Sequence, residues 1–411
     1  MSISTTSRYA LSLSAAAALL AGCGGSQPPL SLSPDGLASQ QSRGSQAYHI
    51  LHEFGDSAGD GTNPTAELIN VKGTLYGTTR NGGANGAGTV YSITKTGEEK
   101  VLYSFSGLAF TSSSDGAQPT TRLVNVNGTL YGTTSAGGTH MCGGVTCGTV
   151  FSITTSGKET VIHSFDYSTT DGALPDAGLI DVNGTLYGTT YAGGAHLCGG
   201  TYCGTVFSIT TGGTVKVLHS FGETNDGMYP EAALLDVGGT LYGTTSDGGK
   251  YKRGTVFTVS TAGQEHVIYS FGATGFHDGT DPTSALVNAG GTLFGTTEQG
   301  GNGSSGTVFS ITKFGRQNLV YSFNGSDGSQ PIGGVVAVKG VLYGTTFAGG
   351  VKNVGSLYSV TKSGEENVVH NFSAGSGKNP ISGLLDVGGT LYGTTYGSIY
   401  EQHGNVYSFT P

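Results

Sequence analysis

The heptapeptide Gly-Thr-Leu-Tyr-Gly-Thr-Thr at 73–79 returns at Gly128, Gly184, Gly239, Gly291, Gly340 and Gly389, with at most one letter changed. Successive copies are 55, 56, 55, 52, 49 and 49 residues apart. A period near 50 residues means one supersecondary unit per repeat. Such a unit cannot bury its apolar face alone and must stack on its neighbours. The 411 residues could make two or three ordinary domains, but this repeat argues for one closed body.

The second copy shows how one unit folds. Asp115-Gly116-Ala117-Gln118-Pro119 has turn chemistry, and Leu123–Val126 is a short apolar run. Asn127-Gly128 then joins that run to Thr129–Thr134, and Asn-Gly between two apolar runs signals a hairpin. A glycine-rich loop leads to Gly148–Thr154, which is alternating and β-branched. A turn at Thr155-Ser156-Gly157 precedes a fourth strand, Glu159–Phe165. No segment sustains a 3.6-residue period, which excludes helical solenoids. Four short antiparallel strands, seven times over, predict an all-β, seven-bladed β-propeller spanning 48–411.

The chain ends set the phase. Tyr48–Phe54 aligns with the fourth strand of a blade, as in Val101–Phe105, whereas Gly404–Thr410 aligns with the third. The last unit lacks a fourth strand and the N-terminus has one spare. The first strand is therefore expected to complete the last blade and hide two raw sheet edges. Within the second strand, glycine recurs at 77, 132, 188, 243, 295, 344 and 393. Glycine inside a strand usually marks close approach of another group, and an aromatic such as Tyr91 or Phe151 is the expected neighbour.

Composition narrows function by exclusion. Charged residues are 11% of the chain and the formal net charge is −9. No basic stripe is present, which argues against a nucleic-acid partner. No HExxH occurs, the glycine richness belongs to turns, and the histidines form no catalytic set. His163, His219 and His370 take the place of Tyr103 or Tyr269 in the fourth strand and read as packing residues. No catalytic residue is assigned.

The N-terminus reads as an address. Arg8 precedes the apolar run Ala10–Leu20, too short for a mature membrane span, and Leu20-Ala21-Gly22-Cys23 follows. That ending resembles the lipobox of bacterial lipoproteins, which implies cleavage before Cys23 and lipidation of its thiol. An ordinary signal peptide with a nearby cysteine is the alternative. Residues 1–22 are then leader, and 23–47, rich in Gly, Ser, Gln and Pro, are a flexible tether. The expectation is a monomer held to a membrane by its lipid on the extracytoplasmic side of a bacterial cell envelope.

The pattern LYGTT-x-x-GG, then GTVFSIT, then E-x-VLYSF resembles the GloVer tandem repeats of bacterial proteins with varied surface anchors, over roughly 48–411. The Gly-Gly after the second strand is similar to kelch repeats. Kelch blades, Asp-box sialidases and quinoprotein dehydrogenases all use tryptophan in their blade motifs, and this chain has none.

Two candidate constellations remain. Beyond Cys23, the cysteines form two copies of one arrangement, His140-Met141-Cys142 to Cys147 and His196-Leu197-Cys198 to Cys203. In an exported chain this spacing favours the disulfides Cys142–Cys147 and Cys198–Cys203. Cross-blade pairing, and zinc held by His140, Cys142 and Cys147, are the alternatives. The second constellation is an Asp-Gly turn before six blades, at Asp60, Asp115, Asp171, Asp226, Asp278 and Asp327, with Ser376-Gly377 before the seventh. These carboxylates either cap their own turns or ring the central channel as a Ca²⁺ site; no other cofactor is expected. His140 and His196 join them as candidate binding residues.

The repeat fails in the cysteine loops and in the inserts Ser106–Ser114 and Tyr167–Thr170. Those loops are the first choice for a binding face. The leading expectation is a surface-anchored binding or scaffolding propeller for a protein or glycan. The alternative is a propeller polysaccharide lyase or hydrolase, which would need convergent, non-repeating acid and base residues.

Overall fold

The computed structural model describes residues 47–199, 201–397 and 403–411; Cys23, the leader and nearly all of the tether lie outside them. The described chain forms seven four-stranded antiparallel sheets, a seven-bladed β-propeller. In blade 1 the strands are Ile69–Val71, Thr74–Thr79, Thr89–Ile93 and Glu99–Ser104. In blade 2 they are Val124–Val126, Thr129–Thr134, Thr149–Thr154 and Glu159–Ser164. First strands of neighbouring blades face one another, so they are innermost and the fourth strands form the rim. Among the described residues no helix is long and apolar enough to cross a membrane.

The ring closes as the chain ends require. Ala47–Glu53 pairs antiparallel with Asn405–Thr410, from Ala47 opposite Thr410 to Glu53 opposite Asn405. Blade 7 thus takes three strands from the C-terminal segment and its rim strand from the N-terminal one. The strand begins at Ala47, one residue earlier than the sequence suggested.

An aromatic relay joins blade to blade. The phenylalanine ending each fourth strand meets, edge to face, the third-strand aromatic of the next blade. Phe54 meets Tyr91 at 5.0 Å, Phe105 meets Phe151 at 5.1 Å, and Phe372 meets Tyr407 at 5.5 Å. Phe165–Phe207, Phe221–Phe257, Phe271–Phe309 and Phe323–Tyr358 complete the circle. Each third-strand ring lies over the glycine of the second strand. A Cβ on Gly77 would sit 2.5 Å from the Tyr91 hydroxyl, and one on Gly132 would sit 2.6 Å from Phe151 Cζ. The glycine in Leu-Tyr-Gly-Thr-Thr therefore makes room for that ring.

The two threonines divide their bonding. The second pairs within its blade, as Thr79 Oγ1 does with Thr89 Oγ1 at 2.8 Å. The first, fully buried, donates to a carbonyl of the next blade: Thr189 to Ala232, Thr244 to Ser284, Thr345 to Ser382. The residue before each seam proline is left-handed, even where it is Leu174 or Tyr229, at φ 54° and 59°. Backbone bonds to both adjoining blades hold it there. Leu174 N–H donates to the Cys147 carbonyl, and its own carbonyl accepts from Tyr191 N–H.

The closing strand should contribute stability out of proportion to its length, because Tyr48 and Phe54 enter two further seams. Removing 47–53 is expected to lower the melting temperature steeply. Phe54→Ala alone should cost about 3–5 kcal/mol by denaturant titration. A loss near zero for both would disprove closure as the stabilising contact.

Candidate functional site

Antiparallel order puts the second-to-third loop and the fourth-to-first connection at the same end of every blade. Short ladders tie them together there: Gly61–Thr62 with Asn81–Gly82, Gly116–Ala117 with Ala136–Gly137, and Gly172–Ala173 with Ala192–Gly193. This loop face carries nearly all the candidate residues. The turns joining first to second and third to fourth strands lie on the opposite face.

The six aspartates sit in the blade seams, each buried and capping its own turn. Asp60 accepts from Gly55 N–H at 2.8 Å and Gly61 N–H at 2.6 Å; Asp115 accepts from Ser106 N–H at 2.7 Å and Gly116 N–H at 2.7 Å. They do not converge on the channel. Each also faces a residue of the rim strand, which fixes it at the outer edge. Asp171 and Asp226 lie 3.0 Å from Nε2 of His163 and His219. Asp278 and Asp327 each accept a 2.6 Å bond from Tyr269 and Tyr321. His52 stands 3.5 Å from Asp60. In the seventh seam Ser376 replaces Asp and meets His370 Nε2 at 3.2 Å. The carboxylates, whose alternative reading was a Ca²⁺ ring at the channel, are thus dispersed among separate seams.

Sequence reading missed a third member present at four of the seams. Glu99, Glu159, Glu265 and Glu366 open the fourth strands of blades 1, 2, 4 and 6 and reach the aspartate of the preceding seam. Burial, then the charge of Asp60, Asp115, Asp226 and Asp327 respectively, raises each of these carboxyls from an ordinary 4.5 to about 7. Oε1 of each is buried without a hydrogen-bond partner. The motif E-x-V was visible, but a neighbour some 40 residues upstream, in the connection that enters the blade, was not. At two seams the set is His, Asp and Glu: His52, Asp60 and Glu99, and His219, Asp226 and Glu265. The ligand atoms of each set lie within 4.8 Å of one another.

Both cysteine pairs are disulfides within their own loops, Cys142–Cys147 and Cys198–Cys203, with Cα atoms 5.3 and 5.5 Å apart. This removes the thiolates a zinc site with His140 would need. Met141–Cys142 and Val145–Thr146 form a small hairpin standing on the loop face. His140 contacts Thr139 through Nδ1 at 3.1 Å, and His196 lies 3.8 Å from Glu223. The insert 106–114 docks on the first hairpin, where Thr146 N–H donates to the Ala109 carbonyl.

The exposed large apolar side chains of the described residues are unevenly placed. Leu108, Phe110, Met141, Leu197, Tyr251, Phe276 and Val351 all project from the loop face, and Phe314 alone lies on the opposite one. All but Val351 fall between blades 1 and 5. Phe110 is 73% exposed and Leu197 64%. Arg253 lies over Phe276, 4.3 Å from its centroid. Tyr191 stacks on Tyr229 at 4.9 Å, and Tyr167 meets Tyr202 edge-on at 5.0 Å. Composition could not reveal this asymmetry, because the same residue types are buried elsewhere in every blade.

A family model described as the Gloeobacter/Verrucomicrobia repeat matches residues 36–202 and again 198–407. No curated protein matches the chain. Among solved structures, a putative 6-phosphogluconolactonase from Bacteroides uniformis is 15% identical, with TM-score 0.46, over 76% of this chain and 86% of that one. A puromycin hydrolase is 10% identical, with TM-score 0.48, over 80% of this chain and 50% of its own. A luciferin-regenerating enzyme is 13% identical, with TM-score 0.40, over 89% and 95%. At these identities and scores no role is carried across.

The seam glutamates give stability a defined pH dependence. Their folded-state affinity for protons exceeds the unfolded one, so the stabilisation is full below about pH 4.5 and is lost as pH rises through about 7. The double variant Glu159→Gln, Glu366→Gln should flatten the fall in melting temperature across that window. Gln317 already occupies this place in blade 5. An unchanged slope would show that these carboxyls titrate alike folded and unfolded.

Proposed function

The chain belongs to the Gloeobacter/Verrucomicrobia repeat family, and we propose that it is a surface-anchored binding module whose loop face, between blades 1 and 5, takes a protein partner. One observation carries this reading: the exposed apolar side chains gather on the face where the repeat is broken. The blades need no such residues for stacking, since their cores are closed by the aromatic relay. Exposed apolar area gathered mainly on one face, with Phe314 as the exception, fits a surface with an occupant.

The mixture of side chains favours protein over glycan. Leu108, Met141, Leu197 and Val351 offer aliphatic area, whereas sugars dock mainly through hydrogen bonds and flat aromatic platforms. Phe110 and the Arg253–Phe276 pair supply the aromatic and guanidinium anchors that dominate protein interfaces. Two disulfides and the Thr146–Ala109 bond hold the loops in place before binding, which lowers the entropic cost of association.

Anchoring rests on Leu20-Ala21-Gly22-Cys23 and belongs to the same proposal: a lipid on Cys23 and a tether presenting the propeller outside the cytoplasm. Radiolabelled palmitate should enter the wild-type chain and not Cys23→Ser, and that variant should leave the membrane fraction. Equal labelling of both would remove the anchor from the reading.

The triple variant Phe110→Ser, Leu197→Ser, Phe276→Ser should retain its melting temperature, since exposed sites seldom matter for stability. It should lose at least about tenfold in affinity for envelope proteins recovered by cross-linking to the wild-type chain. Phe314→Ser, on the opposite face, should bind as the wild type does. Retention by a glycan array in place of protein would reassign the ligand class, and undiminished binding by the triple variant would overturn the choice of face.

A further inference from the structure

The seam between blades 7 and 1 differs from its six counterparts in a way that calls for a ligand. The same slots are filled at every seam, so the others serve as internal controls. At the seams of Asp115, Asp278 and Asp327 the rim residue is tyrosine, which bonds directly to the carboxylate. His163 and His219 each approach their aspartate to 3.0 Å, a full hydrogen bond. The His163 seam has Val215 where four others have Glu, so it lacks a third polar group. His370 meets a serine.

At the closing seam the histidine, aspartate and glutamate are all present, yet the expected bond is missing. His52 Nε2 lies 3.5 Å from Asp60 Oδ2, and it is buried without a hydrogen-bond partner. Glu99 Oε1 is also buried and unpartnered, as at three other seams, but only here does it join an unpartnered imidazole. Two orphaned polar atoms facing one carboxylate are costly unless something joins them. The 3.5 Å separation is long for a hydrogen bond but suits two ligands of one cation: four donors about 2.1 Å from a tetrahedral zinc stand about 3.4 Å apart. His52, Asp60 and Glu99 each offer a ligand atom within 4.8 Å of the others, and what sets them apart from the His219 set is the missing histidine–aspartate bond.

We propose that His52 Nε2, Asp60 Oδ2 and Glu99 Oε1 bind a divalent cation of the zinc type, with water as the fourth ligand. Imidazole with two carboxylates suits such an ion, and all cysteines of the described body are held in disulfides. A dication relieves the repulsion between Asp60 and Glu99, to which Asp56 adds a further negative charge at His52. The ligands come from the N-terminal strand, the turn after it and the rim strand of blade 1. The ion is therefore a clasp, pinning the closing strand to the first blade, and is independent of whatever the loop face binds.

The test uses the full chain, oxidised and purified without chelator, with zinc chloride as the probe. Calorimetry and elemental analysis should give one equivalent of zinc for the wild type. His52→Tyr installs the residue that other seams carry, as at Tyr103 and Asp115, so it should fold, and it should bind none. His219→Tyr should keep its equivalent. Zinc at a hundredfold excess over its dissociation constant should raise the wild-type melting temperature by roughly 3–4 °C and leave His52→Tyr unmoved. No zinc in the wild type, or an undiminished equivalent in a folded His52→Tyr, overturns the proposal.

Discussion

The edge-to-face contact between the last aromatic of one blade and the third-strand ring of the next is the interaction on which the rest of this protein depends. It repeats at 4.9 to 5.5 Å around the whole circle. Its geometry is the favoured one for aromatic pairs, with the positive edge of one ring against the negative face of the other. The ring it uses in the receiving blade projects over the second strand, which must therefore carry glycine. That requirement explains why a residue unfavourable in a strand appears at one place in all seven blades. The neighbouring threonines follow from the same closeness: two sheets approaching over a glycine leave buried carbonyls, and the first threonine supplies the missing donors.

Closure shows the same logic at the ends of the chain. The N-terminal strand completes blade 7, but its side chains also reach both neighbours. Tyr48 stacks on His370 of blade 6 at 4.0 Å and its hydroxyl donates to the Ser376 carbonyl. Phe54, just past the other end, packs on Tyr91 of blade 1. One short segment thus ties three blades. Tyr48 stands where four other blades carry the seam glutamate, so the closing strand has stacking in place of a carboxyl at the one seam whose turn lacks aspartate.

Most of this fold was legible because a repeat multiplies weak signals. One Asn-Gly between apolar runs suggests a hairpin, and seven homologous turns in phase leave little freedom. The glycine–aromatic contact was readable from Gly77 and Tyr91, because pairing within a blade is local. Contacts across blades were not. Asp60 looked like an isolated turn residue or a channel ligand, since its partner Glu99 lies in another sheet and no periodicity connects them. His163, His219 and His370 read as packing residues, and each ring does meet a phenylalanine edge-on, but the bonding of the first two to aspartate follows from a fourth-to-first connection that turns back against the rim. The asymmetry of the loop face was half visible. The cysteine loops and the insert at 106–114 stood out by length, whereas Tyr251, Phe276 and Val351 occupy loops of ordinary composition.

The separation of scaffold from face explains how one repeat tolerates such loops. The relay, the threonine bonds and the seam prolines all lie within the sheets or at their junctions, and of the residues between the Gly-Gly motif and the third strand they use only the last, such as Cys147 and Gly148. A hairpin of any length can stand there without touching the contacts that close the ring, since loop length itself carries only a slowly growing entropic penalty. Evolution of the loop face is then free of most of the constraint that holds the blades nearly identical. The two disulfides fit this view: they stiffen loops that the blades themselves do not restrain, on the face and in the blades where apolar groups are exposed.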